Sequence, residues 1–554
     1  MSFARPRTLT AIALEKVVDL SLKNVIALAD DKTEQRIQSA PKRKRTDPRI
    51  DNIHLVVRAV QDYVSDLPSN LIDEYVKQTL TRLEYHLTPH TQLELFFSMI
   101  FEIILSPRLT RFSDKWIKST GSWVIMSYAN RSDIKTLFNK LWKCSNLTVL
   151  SLTNIPHGIM ERNMVSRMFC NFSLLTTLLL IPRNTAVSFH WVIGPVSQYC
   201  PKLKEFQLVY DGMELQHSGY GIGNLVQCRN LVSLCLLDFG IRTPERNVKD
   251  LKKLLIELMY LKCIFHKDLI SAILETKSEI FRTLGLERLD LVYRCNPNHY
   301  GYMDNQKIVV DNDELLRVSM TCPATRIIKL MRPPQCLDKV SCVLPNLEVL
   351  EMTECCDIAP NLCQAFQQNT LTGLTVLWLK DVENIDYVFF SDLACACPNL
   401  KVLSILHSAI TAAGNLAWTP GQSSAFPFLK ELTLTPHRNF SQNWEVGQKL
   451  TQYLLRGTHE LTYLHIHYCI SYSDTEDVVT CSFLQTIMKP LKDLTVLQIV
   501  SPYVEWSLIN ELILNCSSLV KIGAFQSWSI SERYILRIPD HIYLYLSCDC
   551  DSNI

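Results

Sequence analysis

Histidine and cysteine are the residue types in this chain that suit metal binding, and their spacing decides whether they form a site. His465 and His467 lie two positions apart on one face of a predicted strand, and His407 lies in an earlier segment. No carboxylate or cysteine accompanies them at a spacing typical of zinc sites, so we expect no metal ion and no cofactor. The closely spaced cysteines alternate and therefore point to opposite faces of an extended segment, as in Cys395 with Cys397 and Cys548 with Cys550.

Motifs that bind phosphate or activate a nucleophile are missing from the sequence. It contains no phosphate-binding glycine loop of the Walker type, no dinucleotide fingerprint and no nucleophile elbow. The segment "LDFG" at 237–240 matches the metal-binding motif of protein kinases, but the sequence contains none of the companion motifs of that class. We therefore expect a protein that binds other molecules and has no catalytic residues.

A leucine frame, L-x-x-L-x-L, recurs along the later two thirds of the chain. The segments "CSNLTVLSL", "CPKLKEFQL", "CRNLVSLCL", "LPNLEVLEM" and "CPNLKVLSI" are copies of it. Successive copies start about 28 residues apart, a period typical of leucine-rich repeats. The first positions of the fourteen copies are Leu147, Leu175, Leu203, Leu231, Leu258, Leu286, Thr325, Leu347, Leu374, Leu400, Leu429, Leu461, Leu494 and Leu519.

Each repeat is predicted to form one strand and one return segment. The L-x-L portion alternates with a period of two, so its leucines enter a core while the residues between them face outwards. Return segments such as 443–457 have helical apolar spacing. The predicted fold class is therefore α/β, a leucine-rich-repeat horseshoe with a parallel sheet inside and helices outside, preceded by a small helical domain.

Outward strand positions form the surface on which such an array binds its partners. Counted from the first leucine, these are positions three, five, seven and eight. Outward aromatic side chains have no core to fill, which favours a role in binding. The candidates are Glu205, Tyr210, Arg288, Asp290, Glu351, Trp378, Lys380, Tyr463, His465, His467 and Tyr468.

Overall composition excludes some classes of partner. Hydrophobic residues make up 47% of the 554 residues and charged residues 20%, which suffices for a buried core along most of the chain. The 56 Lys and Arg residues balance the 55 Asp and Glu residues, so we expect neither nucleic acid nor an anionic membrane as a partner.

The most apolar run, 95–105, contains Glu102 and is too short to span a bilayer. The 20 cysteines are spread through a long chain, so we expect mostly reduced core thiols in an intracellular protein.

Residues before the repeats divide into three parts by composition. A helix is predicted near the start, in which Leu9, Ala13 and Val17 form an apolar ridge and Thr8 can cap the amino end. A basic run, Lys42 to Arg45, follows in a polar linker and is a nuclear localisation signal, a solvated segment or, as the least favoured of the three, a nucleic-acid contact. The predicted domains are a helix at 1–30, a flexible linker at 31–52, a helical region at 53–140, the repeat solenoid at 141–530 and a carboxy-terminal cap at 531–554.

Two amino-terminal motifs resemble parts of a known family. Thr8, Leu9, Ala13 and Val17 resemble the elongin-binding box of von Hippel-Lindau-type ubiquitin ligase receptors. The segment "DLPSNLIDEYV" at 66–76 resembles the cullin box of that family, with Leu67, Pro68, Leu71 and Tyr75 in the matching places. Cysteines before the strands, such as Cys144, Cys200 and Cys228, resemble those in leucine-rich repeats of ubiquitin ligase substrate receptors.

The order of these parts resembles the layout of cullin-2 receptors such as the zyg-11 family. This resemblance implies a non-catalytic substrate-recognition subunit of a cullin-RING ubiquitin ligase, with elongin C, elongin B and cullin-2 as partners and a protein substrate of unknown identity. The missing second proline in the cullin-box-like segment favours cullin-2 over cullin-5. The implied location is the cytoplasm, the nucleus or both.

Two alternatives remain open for the same residues. The segment "LPSNLIDEYVKQTL" also resembles the opening of an F-box, which would dock the adaptor of cullin-1 ligases, although the usual third helix with its tryptophan does not follow. Alternatively, the first 140 residues are a helical cap that seals the end of the solenoid, and the protein is an interaction scaffold without a role in ubiquitin transfer.

Overall fold

The structure is a computed structural model of the whole chain. The described residues are 16, 18–19, 22–23, 57–62, 64, 67–86, 100–113, 140–155, 162–182, 189–210, 221–238, 246–266, 268–277, 283–291, 310–331, 333, 337–355, 358–368, 371–383, 385–408, 426–436, 450–451, 453–455, 458, 460–467, 491–500, 504–528, 530, 534, 537–539 and 541–545.

Two compact units divide the chain, the first within residues 3–279 and the second within 280–294 and 304–554. The described part of the first unit contains six parallel strands in sequence order. These strands are β1 (Arg111–Ser113), β2 (Val149–Ile155), β3 (Thr177–Pro182), β4 (Glu205–Tyr210), β5 (Ser233–Asp238) and β6 (Cys263–Phe265). Its helices are α1 (Ser69–His86), α2 (Arg162–Phe169), α3 (Phe189–Tyr199), a 3-10 helix (Ile222–Gln227), α4 (Arg246–Glu257) and α5 (Leu269–Lys277).

The described part of the second unit contains ten strands, again parallel and in sequence order. These are β7 (Arg288–Leu291), β8 (Ile327–Met331), β9 (Val349–Thr353), β10 (Val376–Lys380), β11 (Val402–Ser408), β12 (Glu431–Pro436), β13 (Tyr463–His467), β14 (Val496–Val500), β15 (Lys521–Gly523) and β16 (Tyr543–Tyr545). The helices are α6 (Asn312–Thr321), α7 (Leu337–Val343), α8 (Ala359–Gln367), α9 (Tyr387–Ala396), α10 (Trp506–Asn515) and a 3-10 helix (Phe525–Ser527).

The predicted α/β leucine-rich-repeat fold is confirmed in both units. Consecutive helices pack side by side, as α2 does on α3 and α8 on α9, while the strands form parallel sheets. Leu147, Leu150 and Leu152 are at most 2% exposed, whereas the alternate residues Val149 and Ser151 are half-buried. Each buried leucine contributes about 2 kcal/mol of transfer free energy. None of the described helices has the length and apolar character that crossing a bilayer requires.

Strands β2–β6 and β8–β15 are each joined to the previous strand by a shared acceptor at position two of the preceding repeat. The Thr148 carbonyl oxygen accepts hydrogen bonds from the backbone N–H groups of Thr176 at 2.8 Å and Thr177 at 3.0 Å, and from the Thr176 hydroxyl at 3.0 Å. The same pair of N–H donors meets the position-two carbonyl of the preceding repeat along both units. These acceptors are Thr110, Thr148, Thr176, Lys204, Val232, Glu287, Arg326, Glu348, Thr375, Lys401, Lys430, Thr462 and Thr495.

Among the residues that the structure describes, no strand precedes β1, and a side chain of helix α1 supplies the acceptor instead. The Asp73 carboxylate oxygen Oδ1 accepts from the backbone N–H of Thr110 at 3.0 Å and of Arg111 at 3.2 Å. The Thr110 hydroxyl donates to the other oxygen, Oδ2. Asp73 therefore reproduces the bonding of a position-two carbonyl and satisfies an edge whose donors would otherwise be unpaired.

Strands at both ends extend the sheets beyond the predicted solenoid, 141–530. At the amino end, Leu109 and Phe112 are fully buried at positions one and four of an additional, degenerate repeat that forms β1. At the carboxy end, β16 (Tyr543–Tyr545) pairs with β15 inside the segment predicted as a cap. Both strands are three residues long. Such short strands do not show the full leucine frame, which explains why the sequence pattern did not predict them.

One repeat starts three residues later than predicted. Cys263 and Ile264 pair with Ser233 and Leu234, so position one of this repeat is Leu261 rather than Leu258. Leu258 is 3% exposed and occupies the buried position three residues earlier, where other repeats place a cysteine. A leucine at both positions makes two frames equally compatible with the sequence, and only the strand pairing distinguishes them.

The cysteines before the strands are core residues. Cys144, Cys200, Cys228 and Cys397 are fully buried, and the thirteen cysteines among the described residues are free thiols. Burial raises the pKa of Cys144, Cys200 and Cys397 to about 12. These thiols therefore stay protonated at neutral pH and contribute packing rather than reactivity.

Replacing Asp73 by alanine should destabilise the first unit at its amino end. We expect a loss of about 2 kcal/mol of unfolding free energy, because two backbone N–H groups lose a charged acceptor. Hydrogen–deuterium exchange of residues 109–113 should become faster, while exchange of β4 should change little. Asp62→Ala, in an exposed position of the preceding helical segment, is the control. Unchanged exchange at 109–113 in the Asp73 variant would show that the carboxylate does not cap the sheet.

Candidate functional site

The predicted elongin-box residues Thr8, Leu9, Ala13 and Val17 lie outside the described residues, but the following helical positions are described. Val18 and Leu22 are fully buried, whereas Lys16 and Lys23 are exposed. The Asp19 carboxylate lies 2.6 Å from the Arg82 guanidinium of α1. This helical segment therefore has one buried face, and an ion pair joins it to α1.

The cullin-box-like residues lie where helix α1 begins. Pro68 is exposed, and Leu67 and Leu71 are half-buried. The Pro68 carbonyl oxygen accepts from the N–H groups of Leu71 at 2.8 Å and Ile72 at 3.0 Å, which closes the first turn. Leu67, Pro68 and Leu71 thus leave apolar surface accessible to a partner.

Tyr75 does not belong to this accessible surface, which corrects its predicted place in the cullin-box-like segment. It is 0% exposed, as are Ile72, Val76 and Leu80 on the same helix. These side chains form the inner face of α1, the helix that also carries Asp73. The aromatic ring at the fourth place of the motif is therefore a core residue.

Only one concave-face candidate of the first unit has a described side chain. Glu205 is exposed on β4, and its Oε2 accepts a hydrogen bond from the Thr177 hydroxyl at 3.3 Å. The side chain of Tyr210 lies outside the described residues. This unit therefore offers an exposed carboxylate but no described aromatic among the predicted candidates.

Charged candidates at the start of the second unit pair with one another. The Arg288 guanidinium lies 3.6 Å from the Asp290 carboxylate on β7. Glu351 on β9 forms an ion pair with Lys329 of β8, the residue directly opposite it in the sheet. Each pair is partly exposed and contributes about 0–1 kcal/mol to stability. The paired charges cancel, so this part of the face has little net charge.

Trp378 stands in an apolar part of the same face and is 38% exposed. It occupies position five of β10, between Glu351 of β9 and Ser404 of β11. Half-buried aliphatic residues occupy position three of four successive strands beside it, and Leu406 follows at position seven of β11. We call this set the Trp378 surface: Trp378, Ile327, Val349, Val376, Val402 and Leu406.

Neighbouring strands bring these side chains together, since adjacent strands lie about 4.8 Å apart and outward residues in register are neighbours. Val349, Val376 and Val402 are directly opposite one another across β9, β10 and β11. Lys380 is the next outward residue of β10 after Trp378 and is half-buried. An exposed aromatic side chain surrounded by aliphatic and then charged groups is the usual anatomy of a protein-binding surface.

His465 is buried rather than accessible, which corrects its predicted place on the binding surface. It is 5% exposed at position five of β13, and the position-five residues Ser404 and Gln498 are 3% and 6% exposed. Burial, and secondarily the charge of His467, lowers the pKa of His465 to about 4. Its imidazole is therefore neutral at pH 7 and acts as a core group.

The other candidates on β13 remain near the surface. Tyr463 is half-buried, and its hydroxyl donates to Gln498 Oε1 at 3.4 Å, while His467 is half-buried at position seven. Tyr468 lies outside the described residues, as does the basic run from Lys42 to Arg45.

Within the described part of the chain, no group of three or more His, Cys, Asp or Glu side chains is arranged to hold a metal ion.

Two features of the structure were not predicted from the sequence. The first is the role of Asp73, because nothing in its local sequence distinguishes it from other carboxylates on helices, and only the packing of α1 against β1 shows the role. The second is the aliphatic row of the Trp378 surface, because the prediction of outward binding residues rests on polar and aromatic side chains. Aligning the repeats from 325 to 408 on their leucines shows Ile or Val at position three in four successive copies, and this is the signal that identifies the row.

No protein-family model matches the chain. No curated protein matches it. Among solved structures, a chain in the crystal structure of the Rad7 and Elc1 complex in yeast is 13% identical, with 91% of this chain and 94% of that chain covered and a TM-score of 0.38. An internalin C2 from Listeria monocytogenes is also 13% identical, with 51% and 79% covered and a TM-score of 0.18. The repeat architecture of this chain rests on its own strands and helices.

Acidification should destabilise the second unit through His465. Unfolded histidine titrates near pH 6.5 and His465 titrates at about 4, so the unfolded chain binds more protons between these values. The stability that the neutral imidazole contributes is complete above pH 6.5 and is lost as the pH falls towards 4. Between pH 7.5 and pH 5 we expect a loss of about 2 kcal/mol from this residue.

Thermal unfolding of wild type and His465→Gln at several pH values measures this contribution. The variant should lose less stability on acidification, whereas His541→Gln, at an exposed histidine of the same unit, should behave as wild type. Parallel pH profiles for wild type and His465→Gln would contradict the assignment.

Proposed function

We propose that this protein is a non-catalytic substrate-recognition subunit of a cullin-RING ubiquitin ligase. In this proposal its amino-terminal residues bind elongin C, and thereby elongin B, and the start of α1 contacts cullin-2. The outward face of the repeat strands binds the substrate. The observation that carries the proposal is the division of the amino-terminal helical segment into a buried face and an exposed face.

Helical geometry relates that division to the elongin-box-like ridge. Successive residues of a helix are about 100° apart around its axis. If the predicted helix has one continuous period, the mean direction of Leu9, Ala13 and Val17 is about 160° away from the mean direction of Val18 and Leu22. Since Val18 and Leu22 are fully buried, the ridge is expected on the side away from the chain's own core. An apolar ridge on that side suits a partner, and the small Ala13 allows close approach.

The start of α1 supports the second contact in the same way. Leu67, Pro68 and Leu71 are accessible, whereas the inner face of α1 is occupied by buried side chains and by the Asp73 bonds to β1. One helix therefore seals the sheet with one face and leaves an apolar corner for a partner. Capping the array and binding an adaptor do not compete for the same residues.

Catalysis in this proposal belongs to other subunits, and the receptor contributes proximity. A substrate bound on the repeat strands is held near the ubiquitin-charged enzyme, which raises the effective concentration of its lysines. The receptor needs two binding surfaces that act at the same time and no reacting group. The Trp378 surface is the candidate for binding the substrate, and the elongin-box-like ridge of Leu9, Ala13 and Val17 is the candidate for binding the adaptor.

Affinity purification of tagged protein from cultured cells tests the adaptor assignment. Wild type should recover elongin B, elongin C and cullin-2. The double variant Leu9→Ser with Ala13→Phe should reduce recovery at least about tenfold, because it removes the inserted apolar group and blocks close approach. Lys23→Ser, at an exposed position of the same helical segment, is the matched control and should recover all three proteins.

The same purification distinguishes the alternatives. Recovery of the cullin-1 adaptor, lost in Leu67→Ser with Pro68→Ala, would replace the elongin assignment by an F-box assignment. If wild type recovers no cullin adaptor, and removal of residues 1–25 only lowers the melting temperature, the amino-terminal region is a cap on an interaction scaffold.

A further inference from the structure

The Trp378 surface has a composition that selects one kind of ligand. It contains an exposed indole at position five of β10, and a row of aliphatic side chains at position three runs from β8 to β11 beside it. The charges of Lys329 and Glu351 beside it are neutralised by their mutual ion pair. Such a surface lacks the cluster of positive charges that nucleic acid requires, and it favours apolar protein side chains.

Two charged side chains stand at opposite corners of the part of this surface that spans β10 to β12 and contains Val376, Trp378, Val402 and Leu406. Lys380 follows Trp378 at position seven of β10, and Glu431 occupies position three of β12, directly beside Val402. Glu431 is exposed and Lys380 is half-buried. Within the part of the chain that the structure describes, neither forms an ion pair. A ligand that crosses the apolar area therefore meets a positive corner and a negative corner.

The separation of these corners sets the length of the ligand. They are two strands apart, about 10 Å, and four residues apart along the strands, about 13 Å, which gives about 16 Å on the diagonal. An extended peptide covers this distance in about five residues. Both lysine and glutamate side chains are flexible, so a spacing of four to six residues between the matching charges fits.

We propose that the Trp378 surface binds an extended protein segment that carries an acidic residue for Lys380, a basic residue for Glu431 and large apolar side chains between them. The apolar side chains pack on the Trp378 indole and on Val402 and Leu406, which lie within the span between the two charged corners. This inference deepens the proposed function, on which it rests for the identification of the bound segment as part of a ubiquitination substrate. It assigns a chemical class to a recognition sequence that the proposed function leaves open.

Selection from a library of random twelve-residue peptides displayed on phage tests the proposal with the purified full-length chain. Enriched peptides should carry an acidic and a basic residue four to six positions apart, with apolar residues between them. Synthetic copies of these peptides should bind Trp378→Ala at least about tenfold more weakly than wild type. Tyr543→Ala removes an exposed aromatic side chain from β16 of the same unit and should leave binding unchanged.

A charge exchange keeps the test independent of folding defects. Lys380→Glu should bind the selected peptides about fivefold more weakly, and peptides with the acidic residue changed to lysine should recover the lost affinity. Such recovery shows that the variant is folded and that the side chain at position 380 recognises the peptide by its charge. No enrichment, enrichment without the two charges, or binding that is insensitive to Trp378→Ala would overturn the proposal.

The peptide selection contains no adaptor, so its outcome is separate from that of the affinity purification. If peptides bind as expected but no elongin or cullin is recovered, the ligand class stands and the assignment to ubiquitin transfer fails. If the adaptors are recovered but no peptide binds at Trp378, the proposed function stands and this surface is not the substrate site.

Discussion

Thirteen strands of this protein, β2–β6 and β8–β15, depend on a hydrogen-bond acceptor supplied by the preceding repeat. The position-two carbonyl of that repeat accepts two N–H groups of the next, so each of these repeats is complete only when another repeat precedes it. Among the described residues no strand precedes β1, and the Asp73 carboxylate supplies its acceptor. The helical region before the repeats is therefore part of the repeat structure, and α1 cannot be regarded as an appended tether.

This constraint connects the fold with the proposed function. Because α1 is held by Asp73 and by its buried inner face, the accessible residues Leu67, Pro68 and Leu71 are presented from a fixed element. The segment with Val18 and Leu22 joins α1 through the ion pair of Asp19 with Arg82. An adaptor that binds here is thereby coupled to the amino end of the repeat array. Fixed geometry is what a subunit needs if its contribution to catalysis is proximity.

The sequence was sufficient to predict the period, the buried leucines and the parallel α/β architecture, because these follow from side-chain alternation within each repeat. It could not predict features that depend on neighbouring strands. Trp378 and His465 share position five, yet one is 38% exposed and the other 5%. Leu258 and Leu261 fit the leucine frame equally well, and only the pairing of β6 with β5 separates them. Asp73 has no local signal, since its partners lie 37 and 38 residues further along the chain.

We propose that the amino-terminal helices seal the array with one face and bind an elongin adaptor with the other. Hydrogen–deuterium exchange of the full-length chain, with and without the purified elongin B–elongin C heterodimer, tests both parts at once. We expect strong protection of residues 6–18 by the heterodimer, with exchange of 109–113 already slow and unchanged. Protection confined to the repeat strands, or no protection at all, would contradict it.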